Sequence, residues 1–168
     1  MAHMKFCSNC GEKNLHGWKD GNLRYHCSEC GVIHYENPKP TATLVCMREN
    51  ELLLVKRAYN PGKGLWGLPG GFIELNETPY DAAKRELLEE TGLKGTVVKF
   101  IGHCSHFGSV FGDVLLLGLE MNVLDFTNLT PMDDAEDARF FSLDNLPPLA
   151  FECHTKIVDM YQELILVS

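Results

Sequence analysis

Short apolar runs alternate with turn residues over most of the chain, and their spacing predicts a domain that mixes strands with helices. The runs "TATLVCM" (41 to 47) and "ELLLVKRA" (51 to 58) are separated by "REN", which predicts a β-hairpin. The segment "NPGKGLWGLPGGF" (60 to 72) contains five glycines and two prolines, so it predicts a loop around a short extended piece at 65 to 68. Further strands are predicted at 96 to 103, 113 to 121 and 138 to 142, and a last helix at about 153 to 165.

A helix is predicted from 79 to 91. Thr78 can cap its first turn with a side-chain oxygen, Pro79 suits the first helical position, and Gly92 suits the stop. One stripe of this helix is suited to packing against a sheet and is formed by Tyr80, Ala83 and Leu87.

The same helix carries three glutamates where they cost stability. Glu86, Glu89 and Glu90 share one face, where like charges repel, and two of them lie in the last turn, where the helix dipole disfavours anions. Arg85 could pair with Glu89, but only in the weaker orientation, with the arginine on the N-terminal side. The pattern is typical either of a solvated acidic face or of a site that binds cations.

Composition and charge narrow the class of protein. The chain has 168 residues, 45% of them hydrophobic and 23% charged, which is enough for one sizeable core and a small appendage. No apolar run approaches the ~20 residues that span a bilayer and no secretory signal is evident, so we expect a cytoplasmic protein without a membrane partner. The net charge of −8 argues against a broad nucleic-acid-binding surface, and an acidic protein that handles phosphates needs a cation as intermediary.

Four of the seven cysteines form two close pairs. "CSNCG" contains Cys7 and Cys10, "CSECG" contains Cys27 and Cys30, and sixteen residues lie between the pairs. This spacing predicts a tetrahedral zinc site with four thiolate ligands, and the glycines that follow each pair supply the backbone freedom for the turn. A segment this short cannot bury enough surface to fold alone, so the metal is expected to supply the folding energy.

The zinc ribbon has three conceivable roles. Four cysteines leave no open ligand position, which argues against catalytic zinc. Trp18, Tyr25 and Tyr35 could stack on bases, but residues 5 to 35 carry four basic against three acidic side chains, too neutral for a nucleic-acid surface. We therefore expect a structural or dimer-forming ribbon. The prolines of "ENPKP" (36 to 40) predict an extended connector, which gives a zinc ribbon at 4–36 and a second domain at 37–168.

The stretch "GFIELNETPYDAAKRELLEETGL" (71 to 93) resembles the signature of the Nudix hydrolases. That signature reads Gly, five residues, Glu, seven residues, Arg-Glu, an aliphatic residue, any residue, Glu-Glu, any residue, Gly and an aliphatic residue, and every fixed position fits. The similarity extends to "GLWGLPGG" upstream and "ARFFSLDNLPPLAF" (138 to 151) downstream. The resemblance implies an α/β fold, the Nudix α/β/α sandwich with a mixed sheet, here preceded by a small zinc ribbon.

The resemblance also implies a reaction and a set of site residues. Members of the family hydrolyse a diphosphate linked to another moiety, and the glutamates of this signature hold the magnesium or manganese ions that the reaction needs. Metal binding would account for acids that otherwise destabilise the helix. The implied metal ligands are Glu86, Glu89, Glu90 and the backbone carbonyl of Gly71. Arg85 would orient the carboxylates, and Glu77 would brace the loop.

The resemblance gives only candidate residues for the substrate contacts and the general base. Asp134 and Glu136, in the acidic segment "PMDDAEDARF" (131 to 140), stand where relatives place a substrate-side or catalytic acid, although relatives tend to have Glu at position 134; a solvated acidic loop is the alternative. Aromatic side chains could sandwich a base, and the candidates by position are Tyr59, Trp66, Phe72, Phe107 and Phe111. His103 and His106 could contact phosphate, although packing positions are the simpler interpretation.

The expected substrate is a nucleoside diphosphate linked to a second moiety, such as ADP-ribose or FAD, cleaved to AMP and the other phosphorylated half. A zinc ribbon that precedes the Nudix signature is similar to the arrangement in the NADH pyrophosphatases. Their proline-rich downstream signature, however, is missing from "GHCSHFGSVFGDV" (102 to 114). The alternatives are an NADH or RNA-cap pyrophosphatase, and a Nudix module that binds nucleotide or RNA without catalysis. A homodimer is possible, because family members commonly dimerise.

Overall fold

The computed structural model describes residues 4–167, and contacts between residues divide the chain into two compact units between Asn37 and Pro38. The first unit is a three-stranded antiparallel sheet. Its strands, in sheet order, are β1 (Leu15–Lys19), β2 (Asn22–His26) and β3 (Ile33–His34).

Two tight turns outside these strands carry the cysteine pairs. Gly11 has a φ of 80° and donates its N–H to the carbonyl of Cys7, and Gly31 has a φ of 72° and donates to Cys27. Positive φ angles are inexpensive only for glycine, so the predicted use of these two glycines is confirmed.

The second unit has a mixed seven-stranded sheet. The main path follows the order β10-β5-β4-β9-β8, in which only β4 and β9 run parallel; β6 pairs with β5, and β7 pairs with β4. Its strands are β4 (Lys39–Arg48), β5 (Glu51–Arg57), β6 (Trp66–Gly67), β7 (Gly70–Phe72), β8 (Gly95–Ser109), β9 (Gly112–Val123) and β10 (Ala135–Ser142).

Two helices, α1 (Pro79–Thr91) and α2 (Glu152–Leu166), cover opposite faces of this sheet. On β4, Leu44 packs in one apolar cluster with Leu87 of α1, whereas the next residue, Val45, packs in the other cluster with Ile157 of α2. Because successive side chains of a strand point to opposite faces, the two clusters are the two layers of an α/β/α sandwich. The fold expected from the sequence is confirmed.

Helix α1 begins and ends where the sequence predicts. Thr78 accepts a hydrogen bond from the backbone N–H of Asp81, and Gly92 has a φ of 69° and donates to the carbonyl of Leu88. The predicted buried stripe is wrong at one position, because Tyr80 is 53% exposed and Ala82 is buried instead.

Several strand boundaries differ from the sequence prediction; β10, for example, starts at Ala135 instead of 138. Strand β4 already starts at Lys39, inside the segment predicted to be a connector; Pro40 fits there because a strand tolerates proline near its first residue. Strand β8 continues to Ser109, beyond the predicted end at 103. It pairs on one side only, so its later residues are partly polar and exposed and lack an apolar signal.

Candidate active site and zinc-binding site

The four paired cysteines converge in the first unit. The sulfur atoms of Cys7, Cys10, Cys27 and Cys30 all lie within 4.8 Å of one another, and two cross-pair distances are 3.6 and 3.5 Å. A tetrahedral zinc ion about 2.3 Å from each sulfur separates the sulfurs by about 3.8 Å. The donor set and its spacing therefore fit a structural zinc ion. Among residues 4–167, no other group of three or more potential ligand side chains is this close.

In the second unit, Arg85 gathers three carboxylates. Its Nε donates to Glu77 Oε1 at 2.8 Å and one Nη to Glu77 Oε2 at 2.8 Å, while the other Nη donates to Glu86 at 2.6 Å and to Glu89 at 2.9 Å. A further bond of 2.9 Å reaches the backbone carbonyl of Phe72. The hydrogen bonds from Arg85 hold the pKa of Glu77 down at about 2. Arg85 therefore ties the loop after β7 to the acidic face of α1.

Glu90 is not on the solvated face at all. It is only 6% exposed, its carboxylate accepts the Gly70 N–H at 2.8 Å, and burial raises its pKa well above the ordinary value, with nearby Asp134 and Glu86 adding to the effect. The pKa of Glu86 is also raised, again first by burial. The sequence contains the signal for this placement: Glu90 is seven residues after Ala83 and three after Leu87, on the buried stripe.

Two consecutive glycines bring the backbone of β7 against these acids. A Cβ on Gly71 would lie 2.5 Å from Glu86 Oε1, and a Cβ on Gly70 would lie 2.0 Å from the carbonyl oxygen of Ala42 on β4. Neither position can therefore carry a side chain without displacing its neighbours. The absence of side chains lets a carboxylate and a backbone segment approach closely, as a metal site shared between them requires.

A cavity of about 220 Å³ opens beside this segment. Gly70, Gly71, Phe72 and Asp134 line it, together with Thr41, Thr43, Arg57, Pro61, Leu68, His106, Ser109, Phe111, Val114, Leu116, Phe151, Cys153 and His154. A larger open groove of about 510 Å³ lies around residues 92 to 96, but neither the residues of β7 nor Asp134 line it. The cavity beside β7 is therefore the candidate active site.

The predicted substrate contacts separate into two groups. Phe72 and Asp134 line the cavity, and Phe72 meets Phe111 edge to face at a centroid distance of 5.4 Å. Tyr59 is 64% exposed and lies outside the lining, and Trp66 packs edge to face against Phe141 at 4.7 Å. The carboxylate of Glu136 instead contacts Lys56 at 3.4 Å on the surface. Of the remaining candidates, His106 and Phe111 line the cavity and His103 and Phe107 do not.

Two cavity residues, Arg57 and His154, have no sequence signal. Arg57 lies at the end of β5, and His154 lies in the first turn of α2, about one hundred residues away along the chain. His154 accepts the backbone N–H of Leu68 at Nδ1 at 3.0 Å, and burial, with Arg57 and His106 nearby, lowers its pKa to about 4. The imidazole is thus neutral near pH 7.

The buried imidazole of His154 predicts a loss of stability in acid. Its folded pKa of about 4 lies below the ordinary histidine pKa of 6.5, so between these values the unfolded chain binds more protons and the native state loses stability as the pH falls. We expect this contribution to reach up to about 3 kcal/mol below pH 4. Urea unfolding at pH 7.5 and 4.5 can be compared with a His154→Asn variant, whose side chain does not titrate. An equal loss in both proteins would contradict the assignment.

Comparisons with known proteins identify the family of both units. The NUDIX domain family matches residues 37–161, and the family described as Nudix N-terminal, a zinc ribbon, matches residues 5–36. An ADP-ribose pyrophosphatase of Methanocaldococcus jannaschii is 40% identical over 128 residues, which are 76% of this chain and 75% of that protein.

Two further relatives extend over the ribbon as well. The NAD-capped RNA hydrolase NudC of Pseudomonas aeruginosa is 29% identical over 161 residues, 95% of this chain but only 56% of that protein, so this chain spans little more than half of that relative. A crystal structure of a NUDIX hydrolase from Nitrosomonas europaea superimposes with a TM-score of 0.83 at 32% identity, covering 95% of this chain and 91% of that one.

A mixed sheet between two helices, with an acidic helix beside a glycine-rich segment, is the arrangement expected for the class of metal-dependent hydrolases that the sequence resembles. The chain belongs to the Nudix hydrolase family and carries the family's N-terminal zinc ribbon. Nudix enzymes use divalent metals, and the site fits such ions. Its donors are hard carboxylate and carbonyl oxygens, and Glu90 is buried without a cationic partner among residues 38–167. None of the described helices is both long and apolar enough to cross a bilayer.

Proposed function

We propose that the chain hydrolyses the diphosphate bond of a nucleoside diphosphate linked to a second moiety, with ADP-ribose or FAD as substrate and AMP as one product. The observation that carries this proposal is the 40% identity, over three quarters of both chains, to an ADP-ribose pyrophosphatase. The geometry adds support, because one cavity combines the Asp134 carboxylate and the Gly70–Gly71 backbone with an aromatic wall.

The proposed metal ligands are Glu86, Glu89, Glu90 and the backbone carbonyl of Gly71, and magnesium or manganese is the proposed ion. When bound, such ions neutralise diphosphate charge, polarise phosphorus and lower the pKa of water. Arg85 keeps Glu86 and Glu89 oriented, and it is held in turn by the two oxygens of Glu77.

Asp134 is the acid of the 131–140 segment that we assign to the site. It lines the cavity and lies close enough to Glu86 and Glu90 to raise the pKa of both. Glu136 faces Lys56, and Asp137 pairs with Arg139 at 2.7 Å, so these two acids are engaged elsewhere. Asp134 therefore contributes negative charge on the substrate side of the metal site.

The aromatic wall supports a nucleotide rather than inorganic diphosphate as substrate. Phe72 directly follows Gly71 and packs edge to face with Phe111, which is 48% exposed. Both rings line the cavity, and an exposed ring face beside a diphosphate site can stack on a base. We assign base stacking to these two residues in place of Tyr59 and Trp66.

A second candidate is hydrolysis of NAD-capped RNA. The observation in its favour is the match to NudC, which extends over 95% of this chain and so includes the ribbon. Against it stand the near-neutral charge of the ribbon and the missing proline-rich signature in residues 102 to 114.

A substrate panel tests the proposal. With magnesium, we expect ADP-ribose or FAD to have the highest kcat/KM, to release AMP, and to exceed NADH and an NAD-capped oligonucleotide by at least about tenfold. Manganese in place of magnesium identifies the preferred ion. Highest turnover on the capped oligonucleotide would establish the second candidate, and no turnover with any diphosphate would overturn the proposal.

We also predict three properties of the protein in solution and in the cell. The cytoplasmic location, the absence of a nucleic-acid partner and a homodimeric state follow from the sequence and its resemblance. Size-exclusion chromatography with light scattering measures the oligomeric state directly.

A further inference from the structure

Arg57 differs from the other arginines of the second unit. Within residues 38–167, Arg48, Arg85 and Arg139 each pair with at least one carboxylate, whereas Arg57 forms no ion pair. Its Nε donates to the carbonyl oxygen of Pro61 at 2.7 Å, and its remaining N–H groups have no partner among these residues. A guanidinium that lines a cavity without a counterion favours an anionic ligand there.

One arginine and two histidines surround one phenyl ring at this end of the cavity. The guanidinium carbon of Arg57 lies 5.2 Å from the centroid of the Phe151 ring, and the rings of His154 and His106 lie 5.4 and 5.9 Å from the same centroid. All four residues line the cavity, and Asp134 is the one acidic residue in the lining. Phe151 therefore keeps the basic residues together.

His154 has a fixed direction of hydrogen bonding. Because Nδ1 accepts the Leu68 N–H, the proton of the neutral ring is on Nε2. Within residues 4–167, the hydrogen bond from Leu68 to Nδ1 is the one that the imidazole forms, and the side chain lines the cavity. The ring is thus a donor available to a bound molecule.

The start of helix α2 also favours an anionic ligand at this end of the cavity. Phe151 occupies the N-cap position and has no side-chain oxygen, so no side-chain hydrogen bond caps the first turn. Phe151, Cys153 and His154 of this helix end all line the cavity. A helix N-terminus has partial positive charge, which adds to that of Arg57.

We propose that Arg57 and His154 form a phosphate-binding site at the end of the cavity that Phe151 defines. Resting on the proposed function, the site takes the phosphate oxygens of the substrate that the metal-binding carboxylates leave free. Arg57 supplies charge and paired N–H donors, and His154 supplies one neutral donor. The two residues bind and orient the substrate, and the metal-binding carboxylates of α1 direct hydrolysis.

Binding of the products tests this site without turnover. Calorimetric titration with AMP and with ribose 5-phosphate, without added magnesium or manganese, is compared with titration by adenosine and ribose. The variants are Arg57→Gln, which keeps a donor for Pro61, Arg57→Lys, which keeps the charge, and His154→Asn, which keeps an acceptor for Leu68. Arg48→Gln is the matched control, because Arg48 also lies over an aromatic ring, Phe140, but pairs with Glu51 outside the cavity.

The expected result separates phosphate binding from other roles. Arg57→Gln weakens binding of at least one phosphate ester roughly 10- to 100-fold, Arg57→Lys recovers part of the loss, and His154→Asn weakens binding about 3- to 10-fold. Adenosine and ribose are unaffected, and Arg48→Gln changes nothing. Equal weakening of adenosine and AMP, or no effect of Arg57→Gln in a protein with unchanged circular dichroism, would overturn the proposal.

The phosphate-binding site and the proposed reaction can fail separately in these experiments. A protein that binds phosphate esters through Arg57 but hydrolyses no diphosphate retains this site and loses the proposed function. An active enzyme whose Arg57→Gln variant has unchanged affinity and unchanged KM loses this site and retains the proposed function.

Discussion

Replacement of Glu90 with glutamine is expected to make the second unit more stable and nearly inactive. The carboxylate is buried, close to Asp134 and Glu86, and compensated by one hydrogen bond from Gly70. Glutamine keeps an oxygen that can accept that bond but has no charge to desolvate. We expect a gain on the order of 1–2 kcal/mol, which raises the Tm by roughly 2 to 6 °C.

The catalytic activity of the Glu90→Gln variant is expected to fall, although its stability rises. A ligand oxygen that loses its charge weakens the hold on a divalent ion, and the loss of several kcal/mol of electrostatic stabilisation lowers kcat by roughly 100-fold or more. Glu89→Gln is the informative partner, because Glu89 is exposed: we expect a similar loss of kcat with little change in Tm.

The measurements are calorimetric unfolding without metal and ADP-ribose hydrolysis with magnesium. Glu163→Gln, at an exposed position of α2, is the control and should leave both quantities unchanged. A Glu90→Gln protein with parental activity would remove Glu90 from the metal site. A lower Tm would show that the charge of Glu90 stabilises the fold.

The second large effect is expected when zinc is removed from the first unit, which has almost no hydrophobic core. Among its residues from 4 to 37, only Cys7, Asn14 and Cys27 are buried. Apolar burial therefore cannot hold β1, β2 and β3 together, and the thiolate–metal bonds must supply the folding energy, about 10–16 kcal/mol for structural zinc sites. We expect about one zinc ion per chain and unfolding of this unit when the ion is removed.

Exchange of both Cys27 and Cys30 for serine tests this dependence. We expect the zinc content to fall to near zero and the backbone amides of β1 and β2 to lose their protection from hydrogen exchange. Cys46→Ala, a change in the core of the second unit, is the matched control and should keep the zinc. Protected amides in the zinc-free double variant would show that the ribbon folds without metal.

The sequence predicted those parts of the molecule that depend on local physics. The caps at Thr78 and Gly92, the cysteine turns and the apolar strands all follow from the chemistry of neighbouring residues, and each is present. The burial of Glu90 runs against the usual exposure of a carboxylate, although its spacing from Leu87 places it on the buried stripe. Arg57 and His154 could not be found, because only the packing of α2 against the sheet brings them to one cavity.

The guanidinium of Arg85 connects the loop before α1 with Glu86 and Glu89 of this helix. Arg85 reaches Glu77, Glu86, Glu89 and the carbonyl of Phe72 at once, which uses the flat, multi-pronged shape of its head group. A lysine would conserve the charge but has a single nitrogen, so it could not span the loop and the helix together. A substitution of Arg85 would therefore remove all these contacts at once. It would free the loop and leave three acids to repel each other.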